Sequence, residues 1–317
     1  MPKNIDLPIP KILFTTSSFN LDNFIERHSV EKAGYKLVFN PYGKRLTESQ
    51  LKEIIDDRVI GMVAGVEPIT ADVLKHSKLL KVISRCGVGM DNVDIETAQS
   101  LGITVFNTPD APTIAVAELT IAHIISLARR VCESDRAIRK DKWKPLMGSL
   151  LAKQIVGVIG FGRIGQAVAH LLRAFQARVL IHDVLPAKLD DSIKLVGLEE
   201  LLSSSDIITL HVPYMHDTHH LINTERIALM KPTALLINVA RGGLIDEVAL
   251  FTALYENRLG GAALDCFEQE PYKGPLLALE NVQMTAHMGS YAREARDMME
   301  QEACINLVRG LKQQGLL

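Results

Sequence analysis

Cysteine is scarce: Cys86, Cys132, Cys266 and Cys304 are the only four in 317 residues, and no two form a C-x-x-C pair. That scatter excludes a disulfide framework and a structural zinc held by cysteine pairs, and it suits a reducing cytosol. No single sign of charge dominates. The formal net charge is -2 and no long run of like charge occurs, so neither nucleic acid nor an anionic membrane is an expected partner. No uninterrupted apolar run approaches the ~20 residues that span a bilayer. The N-terminal MPKNIDLPIPK carries three prolines and no long apolar core, so no secretory signal is expected and the expected compartment is the cytoplasm. There is neither an internal repeat of solenoid period nor a low-complexity segment. What remains is an ordinary globular balance, 47% apolar and 23% charged, in a chain long enough for two domains and a sizeable core.

Residues 154–183, QIVGVIGFGRIGQAVAHLLRAFQARVLIHD, organise the rest. An apolar run at 155–159 reads as a strand buried on both faces of a parallel sheet. Gly160, Gly162 and Gly165 follow in the spacing G-x-G-x-x-G: a tight turn, a close approach for a pyrophosphate, and room for the next helix to pack on the strand. The helix from Ile164 would aim its free N–H groups and positive dipole end at phosphates. A second apolar run ends in Asp183, 23 residues after Gly160, where a carboxylate can accept both ribose hydroxyls and repel a 2′-phosphate. Three glycines after a strand can be only a turn. Strand, glycines, helix, strand and acid in this order indicate a dinucleotide site, with NAD favoured over NADP.

The flanking chain alternates strands and helices. Strands are expected at 11–16, 35–39, 59–64, 82–84 and 103–106, and helices over 20–33, from Thr47 to 57, from Thr70 to about 78, and after Asp94. This describes a small doubly wound sheet. After the break at 108–112, residues 113–130 form a long helix, apolar nearly all round and therefore buried, in part between subunits. A charged segment with the lone Trp143 follows. Past Asp183, strands are expected at 206–210, 234–238, 261–265 and 282–285, with helices at 198–202, after Thr224 and after Asp246. Residues 290–312 read as an amphipathic helix that returns to the first domain and makes it discontinuous.

In open parallel sheets ligands gather at the carboxyl ends of strands. Arg241, Asp265, Glu270 and His287 follow expected strands of the glycine-loop half. Arg85, Gly87 and Gly89 follow a strand of the first half. Hydride exchange with a nicotinamide needs a proton carrier, a cation to polarise a carbonyl and hold a carboxylate, and backbone donors. An imidazole titrates near neutrality, so His287 can carry the proton. Glu270, seventeen residues earlier, can hold its second ring nitrogen and stabilise imidazolium. Arg241 offers a planar fork suited to a carboxylate. Singly, such residues are more often structural; together at one sheet edge beside a cofactor loop, they point to chemistry.

From about residue 60 to 300 the chain resembles the D-isomer-specific 2-hydroxyacid dehydrogenases. The likeness rests on VGVIGFGRIG, NVARGGLIDEVAL, GAALDCFEQEP, TAHMGS and RCGVGMDNVD. Asp91-Asn92-Val93-Asp94, Asn107-Thr108-Pro109 and residues 115–119 bring it nearest to the phosphoglycerate dehydrogenase branch. The resemblance implies an α/β chain of two doubly wound parallel-sheet domains. A flavodoxin-like substrate domain would span 1–107 with 290–317, and a Rossmann cofactor domain 108–289. Arg241 would bind the 2-oxo acid, His287 would be the acid and base, and Glu270 its partner. Arg163 and Ile164 would lie at the pyrophosphate, Asp183 at the ribose, and His211, Val212 and Pro213 beside the adenine. Asp265 would approach the nicotinamide carboxamide, with Val239, Ala240 and Gly289 completing the cofactor set. Val88 and Gly89 would give backbone N–H groups to the substrate carboxylate beside Arg85. A homodimer held by the cofactor domains is also implied, with the helix after Thr113 and the Trp143 segment near its axis.

Two departures from the family pattern bear on function. Ala286 stands where proline often precedes the histidine. Ala64-Gly65-Val66 stands where phosphoglycerate dehydrogenases commonly carry an arginine and a serine that grip the phosphate. Phosphate recognition then falls to Arg85 or a partner subunit, or the substrate carries no phosphate. No regulatory domain is expected after Leu317, and hence no serine feedback of that kind. The leading expectation is an NAD-dependent enzyme interconverting a D-2-hydroxy acid and its 2-oxo acid, phosphoglycerate first, with glyoxylate or hydroxypyruvate reduction as the alternative. The rival class is an NADH-responsive binding protein like the C-terminal-binding-protein corepressors, which share the fold and catalytic set but carry longer tails than this chain is expected to have.

Overall fold

The computed structural model describes residues 9–184 and 193–317. The chain divides into two compact units, Met1–Pro112 with Ala292–Leu317, and Thr113–Tyr291.

The first unit is built on five parallel strands: β1 (Lys11–Phe14), β2 (Lys36–Phe39), β3 (Val59–Ala64), β4 (Val82–Arg85) and β5 (Thr104–Phe106), in the order β2-β1-β3-β4-β5. Between them run α1 (Arg27–Lys32), α2 (Glu48–Ile54), α3 (Ala71–His76) and α4 (Ile95–Ser100). Thr47 and Gln50 close a capping box at α2, Thr70 caps α3, and Asp94 caps α4, each satisfying orphan N–H groups of a first turn. Alternate residues of a strand face opposite ways. Leu13, Met62 and Ile83 therefore pack with Leu51, Val73, Leu74 and Ala98 on one face. Ile12, Phe14, Val63 and Val82 pack on the other with Cys304, Leu307 and Leu311 of the C-terminal helix, Arg293–Gln313. That helix lies close because Gly310 has no side chain: a Cβ there would sit 2.6 Å from Val82.

Residues 20–33, expected as one helix, are instead a 3-10 turn, Leu21–Asn23, and the short α1. Tertiary hydrogen bonds override the local pattern. The Asn23 amide donates to Asp297 (2.9 Å) and Glu300 (2.9 Å) of the C-terminal helix, and the Asn20 N–H donates to Glu300 (2.9 Å).

The second unit opens with α5 (Thr113–Ala128) and α6 (Val131–Ile138). Then come β6 (Ile155–Ile159), α7 (Arg163–Ala174), β7 (Arg178–His182), β8 (Ile193–Leu195), α8 (Leu198–Ser204), β9 (Ile207–Leu210), α9 (Thr224–Leu229), β10 (Leu235–Asn238), α10 (Glu247–Tyr255), β11 (Gly261–Leu264) and β12 (Val282–Met284). Seven parallel strands stand in the order β12-β11-β10-β9-β6-β7-β8. α5 and α7 cover one face, and α8, α9 and α10 the other. The order reverses between β6 and β9, which makes a crevice at their carboxyl ends the natural ligand position.

Neither α6 nor β8 was anticipated. The charged segment after residue 130 contains α6, which buries no residue and is laced by Arg130–Glu133 and Asp135–Arg139 pairs at helical spacing. The three-residue edge strand β8 is too short to carry a periodic signal. Among the described residues, no helix is long and apolar enough to cross a membrane.

Candidate active site

The site is laid out along the carboxyl edge of the seven-stranded sheet. Strand order puts the exits of β12, β11, β10, β9, β6 and β7 side by side. These exits carry, in turn, His287, Asp265 with Glu270, Arg241, His211, the glycine loop and Asp183.

At the glycine loop, Gly160 has φ +92, a left-handed conformation that glycine adopts without penalty. A Cβ on Gly160 would also lie 2.6 Å from the His211 carbonyl, and one on Gly165 would lie 2.0 Å from the Gly160 oxygen. These two glycines are thus fixed by close backbone approach inside the protein. Gly162 differs: a Cβ there would meet nothing within 4 Å. It is the N-cap of the twelve-residue α7 and makes no side-chain cap, so the first-turn N–H groups face that open space. Arg163 is exposed and Ile164 half-buried in the same turn. Asp183 Oδ2 accepts the Phe161 N–H at 2.6 Å, which pins the carboxylate beside the loop. Amides and a dipole for a pyrophosphate, an open glycine and a fixed carboxylate for ribose hydroxyls fit a dinucleotide.

His211 leaves β9 with Nε2 3.0 Å from the hydroxyl of buried Thr209, and enclosure of its ring pushes its pKa down to about 3. Val212 is half-buried and Pro213 exposed beyond it.

At β10, Asn238 is buried and does what no expectation assigned to it. Its amide donates to the Arg241 carbonyl (2.7 Å) while its oxygen accepts the Ala240 N–H (3.0 Å), tying residues 238–241 into one turn around Val239. A buried amide at the end of an apolar strand must find partners, and that was the available signal. The half-buried Arg241 points Nη1 to the Ala240 carbonyl (2.8 Å). Next to it, a Cβ on Gly242 would fall 1.9 Å from the Phe267 backbone, so the Arg241 turn and the turn leading to Glu270 touch only because a glycine stands there.

His287 Nδ1 lies 2.9 and 3.0 Å from the two Glu270 oxygens. The Phe267 N–H also donates to Glu270 Oε1 (3.1 Å), fixing the carboxylate. The His287 side chain is 41% exposed and that of Glu270 26%, so the pair is reachable from solvent while still partly desolvated. With Nδ1 engaged, Nε2 is the nitrogen presented to a reacting molecule. His287 has φ +51, a conformation rare outside glycine. Asp265, 1% exposed, supports it. Its carbonyl accepts the His287 N–H (2.7 Å), and its carboxylate accepts those of Met288 (2.9 Å) and Gly289 (2.8 Å). Nearby Cys266 is buried, and burial pushes its thiol well up, which disqualifies it as a nucleophile.

In the first unit, Arg85 ends β4 buried, with Nη1 donating to the Cys86 carbonyl (2.8 Å). The loop beyond it is held by two residues of the Asn107-Thr108-Pro109 motif to which sequence reading assigned no structural role: the Gly87 N–H donates to Thr108 Oγ1 (2.7 Å), and the Asn107 amide to the Val88 carbonyl (2.7 Å). Val88 is exposed and Gly89 half-buried.

Residues 121–289 match the family model for the D-isomer specific 2-hydroxyacid dehydrogenase, NAD binding domain. A D-3-phosphoglycerate dehydrogenase of Methanocaldococcus jannaschii is 43% identical over 258 residues, covering 79% of this chain and 49% of that protein. A hydroxypyruvate reductase of Thermotoga maritima is 38% identical over 259 residues, covering 80% of this chain and 85% of the relative. A Thermus thermophilus protein of known structure superposes with TM-score 0.88 at 37% identity over 96% of this chain and 97% of that one. A glycine loop, an acid at the end of β7 and an imidazole–carboxylate pair share one sheet edge of a dinucleotide-binding scaffold. The chain belongs to the D-isomer-specific 2-hydroxyacid dehydrogenase family, and its second unit carries that family's NAD-binding domain. It spans about half the length of the phosphoglycerate dehydrogenase relative.

Proposed function

We propose that the protein interconverts a D-2-hydroxy acid and its 2-oxo acid with NAD. The observation that carries this is the His287–Glu270 pair, 2.9 Å apart on the sheet edge that also bears Arg241 and the glycine loop. When bound, the nicotinamide supplies or takes the hydride. In the reducing direction, Arg241 binds the carboxylate and polarises the neighbouring carbonyl, and His287 Nε2 delivers a proton to its oxygen. Glu270 keeps the imidazole oriented and balances the imidazolium charge. Val88 and Gly89 give backbone donors to the carboxylate, and Arg85, folded onto its own turn, acts through that loop. Asp183 favours NAD because a 2′-phosphate would meet its negative charge.

D-3-phosphoglycerate is the first substrate suggested by resemblance. One observation favours unphosphorylated acids such as glyoxylate or hydroxypyruvate. The loop after β3 bears no cation and instead buries Glu67, which accepts from the Gly65 N–H (3.0 Å) and the Thr15 hydroxyl. A panel of 2-oxo acids, with and without phosphate, assayed with NADH and NADPH, tests the whole reading. Oxidation of NADH by at least one acid is expected. If none is reduced while NADH still binds, the dehydrogenase reading falls and an NADH-sensing binding protein takes its place.

A homodimer through the second unit is part of the proposal. Trp143, Met147 and Leu150 are 87%, 88% and 64% exposed, an apolar arm left open to solvent. A cavity of about 630 Å³ between α5, α6 and residues 277–285, with an apolar wall of Leu119, Leu279 and Met284 and a charged rim of Arg136, Lys140 and Glu280, offers a receptor for such an arm. Sedimentation should report twice the chain mass, and a monomer at micromolar concentration would end this part.

A further inference from the structure

His123 lies in the middle of α5, 5% exposed, on a helix whose other buried residues are almost all apolar. A buried imidazole must satisfy its polar nitrogens or lose free energy. Its Nε2 is 3.2 Å from Thr285 Oγ1, and Thr285 Oγ1 is 2.5 Å from Asp265 Oδ1. A hydroxyl has one proton. Asp265, as a carboxylate, only accepts, so Thr285 donates to it and must itself accept. The donor is therefore His123 Nε2–H, which fixes the tautomer. Burial lowers the pKa of His123, against the opposing pull of the Asp265 charge and a hydrogen bond with Gln283, and Nε2 remains a donor to Thr285 in either protonation state.

The chain ends at the catalytic turn. Asp265 Oδ1 receives Thr285 and the Met288 N–H, and Oδ2 receives the Gly289 N–H. Between those residues and the Asp265 carbonyl sits His287 in its left-handed conformation, which persists only where its surroundings over-determine it. Linked hydrogen bonds in a low-dielectric interior strengthen one another, so losing the outermost donor weakens the hold on Asp265.

We propose that His123 is a positioning residue: through Thr285 it orients the Asp265 carboxylate and so fixes the turn that presents His287. This rests on the dehydrogenase reading above for its kinetic consequence, though not for its structural one. Position 123 acts through two other side chains, Thr285 and Asp265.

The test uses the full chain with His123→Leu, which fills the space without a donor, and His123→Gln, whose amide can donate from about the same place. Hydrogen exchange without cofactor reads the amides of Met288 and Gly289. Their protection should fall about tenfold in the leucine variant and return in the glutamine variant, while C-terminal helix protection stays constant. With whichever 2-oxo acid the panel identifies, kcat should fall about tenfold in His123→Leu with KM within twofold, and recover to within threefold of wild type in His123→Gln. Unchanged exchange at 288 and 289 in His123→Leu, or no difference between the two variants, overturns the proposal. If no acid is turned over at all, the exchange result decides the matter alone, separating this failure from that of the enzymatic reading. Should His123→Leu not fold, Thr285→Val breaks the same chain from its other side and is read by the same exchange, with unchanged protection again overturning the idea.

Discussion

The carboxyl edges of the two sheets are made of similar residues and treat them differently. On the five-stranded sheet several polar groups spend their hydrogen bonds on one another, while the buried Thr16 and Ser84 hydroxyls find no partner among the described residues. Glu67 takes the Gly65 N–H and the Thr15 hydroxyl, the Asn92 amide reaches the Glu67 carbonyl (2.8 Å), Arg85 turns to Cys86, and Thr108 receives Gly87. On the seven-stranded sheet the buried polar groups, Asn238 and Asp265, point their bonds at turns, and those turns carry Arg241 and His287 into reach of solvent. The two parallel sheets therefore differ in degree: most bonds of the first edge close on one another and only the Val88 loop is held out, whereas the second edge holds up two turns. The second arrangement is the one a reaction needs, because a site must be rigid and still accessible.

The largest test of this contrast is His287→Ala. If the second edge presents a proton carrier, kcat should fall by about 10²–10⁴-fold, the usual worth of a positioned acid or base. The NADH dissociation constant should stay within twofold, measured by fluorescence titration. Turnover within threefold of wild type would remove the residue from the mechanism and make the two edges alike.

Glu67→Leu probes the closed edge. The substitution removes the oxygen that accepts both the Gly65 N–H and the Thr15 hydroxyl. A hydrogen bond to a buried charged group contributes about 1.5–3 kcal/mol, so urea unfolding should show a loss near the top of that range. KM for the best substrate should not move beyond twofold. A large KM change with unaltered stability would mean that Glu67 contacts substrate and that this edge is open after all.

His211 sharpens the contrast from within the second edge, as a group enclosed rather than presented. Its ring stays neutral in the folded protein down to about pH 3, whereas an unfolded chain protonates it below about 6.5. Protons then favour the unfolded state, so its contribution is intact above pH 6.5 and drains away between there and about pH 3. From pH 7 to 5 wild type should lose about 2 kcal/mol more than His211→Gln in urea titrations. Parallel pH profiles for the two proteins would show that the ring is open to solvent.

Much of this was legible beforehand, and the reasons are local. Glycine spacing, two apolar runs and an acid at a fixed distance define the β6–α7–β7 unit whatever surrounds it. His287 and Glu270 could be paired because β11 and β12 are neighbouring parallel strands whose exits must lie together. What escaped reading depends on partners distant in sequence. The break after Asn20 comes from bonds to Asp297 and Glu300, some 280 residues away. Helix α6 buries nothing, so no apolar stripe announces it. Asn238 and His123 look like lapses in otherwise apolar elements until the atoms they bond are known.

The finest comparison sets one glycine from each edge side by side. A Cβ on Gly87 would fall 1.1 Å from the Arg85 guanidinium, at a residue with φ +145, so Gly87→Ala is strained by the protein itself and should lower stability by about 1–2 kcal/mol. A Cβ on Gly162 meets no protein atom within 4 Å, and its backbone is in the ordinary extended region. Gly162→Ala should therefore leave the apo unfolding midpoint unchanged within about 1 °C, since no strain or lost contact separates it from glycine. The space it enters is the one proposed for the pyrophosphate, and a methyl group there holds the phosphates off the α7 amides. NADH affinity should fall about tenfold, the equivalent of one good hydrogen bond lost. Equal affinity in Gly162→Ala and wild type would put the dinucleotide elsewhere on the edge; a drop in stability without a drop in affinity would make Gly162 a structural glycine like Gly87.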